Sequence, residues 1–170
     1  FITFKNKSPI SYQKLSLTKV KHFYTIKSNK DYIWFGTNKG LRCYDKNKEI
    51  WYSYTNFDGL IENNVQSIAI DNNYIWCGTW GGVSRYDTLN KQWKNFTIAN
   101  GLPSNQIWAI DCNENYVGIG TNGKGFCLYD KNKNEFKIFD ATNGLKDNYI
   151  HCLKFDKEKI WIGAQKGILS

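Results

Sequence analysis

Ile75-Trp76-Cys77-Gly78-Thr79, followed by Tyr86-Asp87 and then by Asn100-Gly101-Leu102-Pro103-Ser104-Asn105, decides the fold, because none of its parts occurs once. The first part returns as Ile33-Trp34-Phe35-Gly36-Thr37, as Val117-Gly118-Ile119-Gly120-Thr121 and as Ile160-Trp161-Ile162-Gly163-Ala164, with glycines 42, 42 and 43 residues apart. Tyr86-Asp87 has counterparts in Tyr44-Asp45 and Tyr129-Asp130, and Gly101-Leu102 in Gly59-Leu60 and Gly144-Leu145. Three independent markers therefore repeat with one period. The distance from motif glycine to tyrosine is 8, 8 and 9 residues, which places one inserted residue in the third repeat near Lys124.

Each period contains four short runs suited to strands. In the second repeat they are about 65–70, 74–78, 83–86 and 92–97, separated by Asp71-Asn72-Asn73, Trp80-Gly81-Gly82 and 87–91, all rich in turn-forming residues. Four strands per 42 residues predict an all-β fold, the β-propeller, built of four-stranded antiparallel blades. The expected division is 16–58, 59–100, 101–143 and a partial fourth repeat over 144–170. Residues 1–15 are a candidate fourth strand of a preceding or ring-closing blade. Seven blades would need roughly 290 residues at this repeat length, so the chain reads as part of a larger ring. A closed four-bladed ring and a ring completed by a second copy are the alternatives.

The run I/V-W-x-G-T, Gly-Leu or Gly-Val, Tyr-Asp, an aromatic fourth strand and Asn-Gly-Leu-Pro-Ser-Asn resembles the two-component regulator propeller repeat, and the resemblance covers about 16–170. Gly118 in place of Trp, and Leu17-Thr18 in place of Gly-Leu, depart from it. The resemblance implies a sensor domain, periplasmic or extracellular, that serves a signalling module. It also implies an oligosaccharide or similar small ligand.

Composition sets the outer limits. The 170 residues carry a formal charge of +8, but only Arg42 and Arg85 are arginines, so the basic residues are mostly lysines beside loop asparagines. That pattern fits solvated turns better than phosphate reading, and neither nucleic acid nor membrane contact is expected of this segment. No apolar run reaches the length of a membrane span. The five cysteines contain no C-x-x-C and read as small buried hydrophobes, with neither metal nor cofactor indicated. The only histidines, His22 and His151, occupy non-equivalent repeat positions, and no phosphate loop or nucleophile elbow is present, so no catalytic residue is assigned.

Repeat position separates scaffold from ligand contact. Trp34, Trp76 and Trp161, and Asp45, Asp87 and Asp130, recur and are read as packing and turn residues. Positions that vary are candidates. Trp80 stands where the other repeats have Asn38, Asn122 and Gln165, and offers a stacking face for a sugar ring. At the start of each first strand stand Tyr24, Gln66, Trp108 and His151, a column that either reads a ligand or fills the channel mouth. His22, Asn64, Gln106 and Tyr149 form the next variable set. Lys39, Lys124 and Lys166 belong to the same loops and would make that rim positive. The expected function is a non-catalytic ligand-binding sensor propeller; the alternatives are an interaction scaffold within a larger assembly, and a propeller lyase or hydrolase with catalytic residues on absent blades. Further blades or another copy of the chain are the expected partners.

Overall fold

The computed structural model describes residues 20–157 and 159–169. Blade 1 comprises β1 (Phe23–Ser28), β2 (Tyr32–Thr37), β3 (Gly40–Asp45) and β4 (Ile50–Tyr54). Blade 2 comprises β5 (Val65–Asp71), β6 (Tyr74–Thr79), β7 (Val83–Asp87) and β8 (Gln92–Phe96), and blade 3 comprises β9 (Ile107–Cys112), β10 (Tyr116–Thr121), β11 (Phe126–Asp130) and β12 (Glu135–Phe139). Blade 4 has β13 (Ile150–Asp156), β14 (Lys159–Ala164) and β15 (Gly167–Leu169). Every sheet is an antiparallel meander with neighbours in chain order, and the four sheets form the four-bladed propeller arrangement that the repeat predicts. The 1–15 strand expectation falls outside the described residues.

The repeated motif residues hold this geometry. Asp45, Asp87 and Asp130 each accept two backbone N–H bonds from residues two and three further on, which closes the hairpin between third and fourth strands. The threonine ending each of the first three second strands bonds a glycine carbonyl across the turn: Thr37 to Gly40, Thr79 to Gly82 and Thr121 to Gly125. The last spans one residue more, locating the insertion. The connection between blades is closed by Asn63, Asn105 and Asn148, whose Oδ1 atoms accept from the backbone N–H of Asn56, Ile98 and Ala141, each seven residues earlier. Two of these connections contain a short 3-10 turn, Asn56–Asp58 and Ile98–Asn100, unanticipated from the sequence although Thr55 with Asp58 and Thr97 with Asn100 are capping pairs.

The motif glycine allows blades to approach. A Cβ on Gly78 would stand 2.6 Å from Ile107 Cγ2 of blade 3, and one on Gly120 would stand 2.5 Å from Ile150 Cγ2 of blade 4. The core is accordingly a series of inter-blade seams. Trp34, Leu41 and Cys43 pack on Ile68, Ile75, Cys77 and Tyr86, whereas Trp76, Val83 and Phe96 pack on Ile110, Val117, Cys127 and Tyr129. Lys131 of blade 3 bridges to Asp71 of blade 2 at 2.6 Å.

Repeat equivalence fails to predict burial at the two ends. Trp34 and Trp76 are 2% and 1% exposed, yet Trp161 is 45% exposed, because no further blade covers that face among the described residues. Cys152 is exposed for the same reason, unlike Cys43, Cys77 and Cys127, which are buried. On the opposite flank Ile26 is 60% exposed where the equivalent Ile68 is 1%. Arg42, in the place of Ser84 and Cys127, has no partner for Nη1 among the described residues on that flank.

Candidate functional site

The variable column has a common structural cause. In blade 2, Val65 pairs with Thr79 and Ser67 with Gly78, which leaves Gln66 as the extra residue of a β-bulge. The same shift isolates Tyr24 between Phe23 and Thr25, Trp108 between Ile107 and Ala109, and His151 between Ile150 and Cys152. All four candidate residues are thus the unpaired residue of the same bulge, one per blade. A bulge re-aims its side chain away from the ladder and is common at rims and binding sites. The flanking apolar residues stay locked in blades 2 to 4, with Val65, Ile107 and Ile150 fully buried, whereas Phe23 on the end blade is exposed.

The innermost strands β1, β5, β9 and β13 lie side by side, so the bulged residues form a row along one rim. Trp108 and His151 meet across the blade 3–4 seam, ring centroids 5.0 Å apart and 22° from parallel. Tyr24 lies 6.2 Å from His22 in a parallel arrangement. Gln66 Nε2 donates to Asn64 Oδ1 at 2.9 Å.

The loop residues join the row. The backbone N–H groups of Asn38, Asn122 and Gln165 donate to the carbonyls of His22, Gln106 and Tyr149, the residues just before the bulged strands. Asn122 Nδ2 also donates to Gln106 Oε1 at 2.9 Å, and Asn38 Oδ1 accepts from the backbone N–H groups of Lys21 and His22 at 3.2 Å each. Trp80 is different. It is 53% exposed, and among the described residues no aromatic ring lies against it. Lys124 and Lys166 are exposed on the same rim, Lys166 N–H being held by buried Asp147. The arrangement therefore offers indole, imidazole and phenol faces, amide donors and acceptors, and free ammonium groups. It is suited to binding. No group of three or more His, Cys, Asp or Glu side chains converges on a metal position among the described residues.

No protein-family profile matches the chain, and no curated protein is matched. Solved structures do match. The extracellular domain of a hybrid two-component system from B. thetaiotaomicron superimposes with a TM-score of 0.74 at 21% identity, covering 92% of this chain and 24% of that one. The chain shares its fold with such extracellular domains. A second, from a one-component system of B. thetaiotaomicron, gives 0.70 at 21% identity over 86% of this propeller and 20% of that chain. The propeller thus spans between a fifth and a quarter of these domains. The computationally designed Ika4 protein gives 0.66 at 15% identity over 87% of this propeller and 89% of that chain.

Proposed function

We propose that this propeller is a non-catalytic ligand-reading element of an extracytoplasmic signalling protein, and that the bulged row contacts an oligosaccharide. The single observation that carries the reading is the row itself. Four repeats that agree at the hairpins place four different side chains, Tyr24, Gln66, Trp108 and His151, at one bulge. Scaffold needs would favour one residue type there; a contact surface favours variety. Exposed Trp80 beside the row supplies a further stacking face, and Lys124 and Lys166 favour acidic sugars. The fold shared with extracellular domains of signalling systems supports both the sensor role and the compartment. As a stiff scaffold, the propeller would bias a signalling equilibrium only by binding its two states unequally.

Calorimetric titration with neutral and acidic oligosaccharides tests this. Binding that falls at least about tenfold in both Trp108→Ala and Trp80→Ala, with unchanged melting temperature, is the expected outcome. Binding indifferent to both substitutions refutes the site.

A second reading, a scaffold that seats further blades or another copy, is favoured by the end faces. Phe23 and Ile26 are 52% and 60% exposed at one flank, and Trp161 and Ile168 are 45% and 76% exposed at the other. Light scattering decides it, since assembly through these faces is lost in Ile26→Lys.

A further inference from the structure

The seam between blades 1 and 2 holds a separate cleft of about 280 Å³ on the rim opposite the bulged row. Tyr32, Trp34, Tyr52 and Tyr54 of blade 1 and Tyr86 of blade 2 wall it. Trp34 lies 5.9 Å from Tyr32, 6.2 Å from Tyr54 and 6.4 Å from Tyr86 between ring centroids.

The next seam provides an internal comparison. There the Arg85 guanidinium lies 4.5 Å from the Tyr74 ring centroid and 5.4 Å from that of Trp76, a planar cation held against two rings. Arg85 is the cross-strand partner of Trp76, as Cys43 is of Trp34. Cys43 therefore occupies the place of Arg85, and its short side chain lines the cleft in a seam that has no guanidinium at that position. Tyr52 likewise occupies the place of Lys94.

Charge then selects the occupant. Lys48 and Lys91 border the cleft, and among the described residues no lining side chain is a carboxylate or carboxamide. The neighbouring Asp45 is buried and committed to its turn, accepting from the backbone N–H groups of Asn47 and Lys48 at 3.0 Å each, with Lys48 Nζ at 3.9 Å. Burial pushes the Cys43 thiol up to about 12, so it adds no negative charge. Among the described residues, Trp34 Nε1 is buried in the wall without a hydrogen-bond partner, as is Trp76 Nε1 in the seam that Arg85 occupies. The lining has no carboxylate or carboxamide, the bidentate acceptors suited to vicinal sugar hydroxyls, and is dominated by aromatic rings and two ammonium groups. A flat ring with an anionic end matches both the walls and the charge.

We propose that the blade 1–2 cleft binds an aromatic carboxylate, its ring against the half-buried Tyr32 and Tyr52 at the edge of Trp34, and its carboxylate between Lys48 and Lys91. This site is independent of the bulged row. The test follows the seven tryptophan indole N–H signals of the ¹⁵N-labelled protein while 4-hydroxybenzoate is added. The Trp34 signal is expected to shift saturably, with Trp80 and Trp108 unmoved. Cys43→Arg fills the cleft and abolishes the shift while the spectrum stays dispersed. Lys48→Ala combined with Lys91→Ala weakens binding at least about tenfold and removes its salt dependence. Glucuronate leaves Trp34 in place. A Trp34 signal that does not move, a shift that survives Cys43→Arg, or an equal shift of Trp34 with glucuronate overturns the proposal.

Discussion

Asp87 shows what a recurring polar residue does in this chain. Its Oδ1 accepts from Leu89 N–H at 2.9 Å and Asn90 N–H at 3.0 Å, and its Oδ2 from Asn90 Nδ2 at 2.8 Å. The bonds from Asn90, with a smaller one from Leu89, hold its carboxyl below the ordinary range. A pKa lowered by folding contributes stability above the unfolded-state value, and that contribution disappears as pH falls through the folded-state value. The stability gap between the native chain and Asp87→Asn should therefore be present at neutral pH and close on acidification. Urea midpoints measured from pH 7 to about 2 check it; a gap that stays constant across that range contradicts the assignment. The turn role of Asp87 was legible in its sequence position, just after a repeated tyrosine and before Thr88-Leu89-Asn90-Lys91. The cleft beside Cys43 was not, because the significance of Cys against Arg85 depends on which blade faces it.

At the scale of the element, the connection between blades is held by one asparagine spanning seven residues. Asn105→Ala removes the acceptor for Ile98 N–H, which sits in the short 3-10 turn before it. The expected cost is about 0.5 to 1.5 kcal/mol, with faster hydrogen exchange confined to 97–106. Exchange that rises uniformly over the chain would contradict a local role. The strands themselves were readable from period and turn residues, and the observed β5 to β8 fall within a residue or so of the expected ranges. The bulge was harder to see, because it is a property of hydrogen-bond register. Burial does not betray it either, because these inner strands are covered on both faces, with adjacent Ile68 and Ala69, and Ala109 and Ile110, all buried.

Over the whole molecule, position in the blade series matters as much as position in the repeat. Trp76 and Trp161 are equivalent by motif, but one is sealed in a seam and the other is 45% exposed on an end face. Trp76→Ala should cost about 3 to 5 kcal/mol and Trp161→Ala about 1 kcal/mol or less. Chemical denaturation of the two variants compares them directly, and equal losses would mean that the last blade is covered in solution. The motif itself carries no sign of this asymmetry, since burial at an end face depends on the neighbour; only the reading of the chain as part of a larger ring pointed to exposed blade faces.

The central claim is that variation among otherwise matching repeats marks the contact surface. Its most direct test uses the seven tryptophans, which sample both classes of position, with scaffold residues Trp34 and Trp76 buried and candidate contacts Trp80 and Trp108 on the rim. Indole ¹H–¹⁵N spectra recorded with a series of neutral and acidic oligosaccharides should show saturable shifts of Trp80 and Trp108 while Trp34 and Trp76 stay fixed. Oligosaccharide binding that moves Trp34 or Trp76 and leaves Trp80 and Trp108 unchanged would contradict the account.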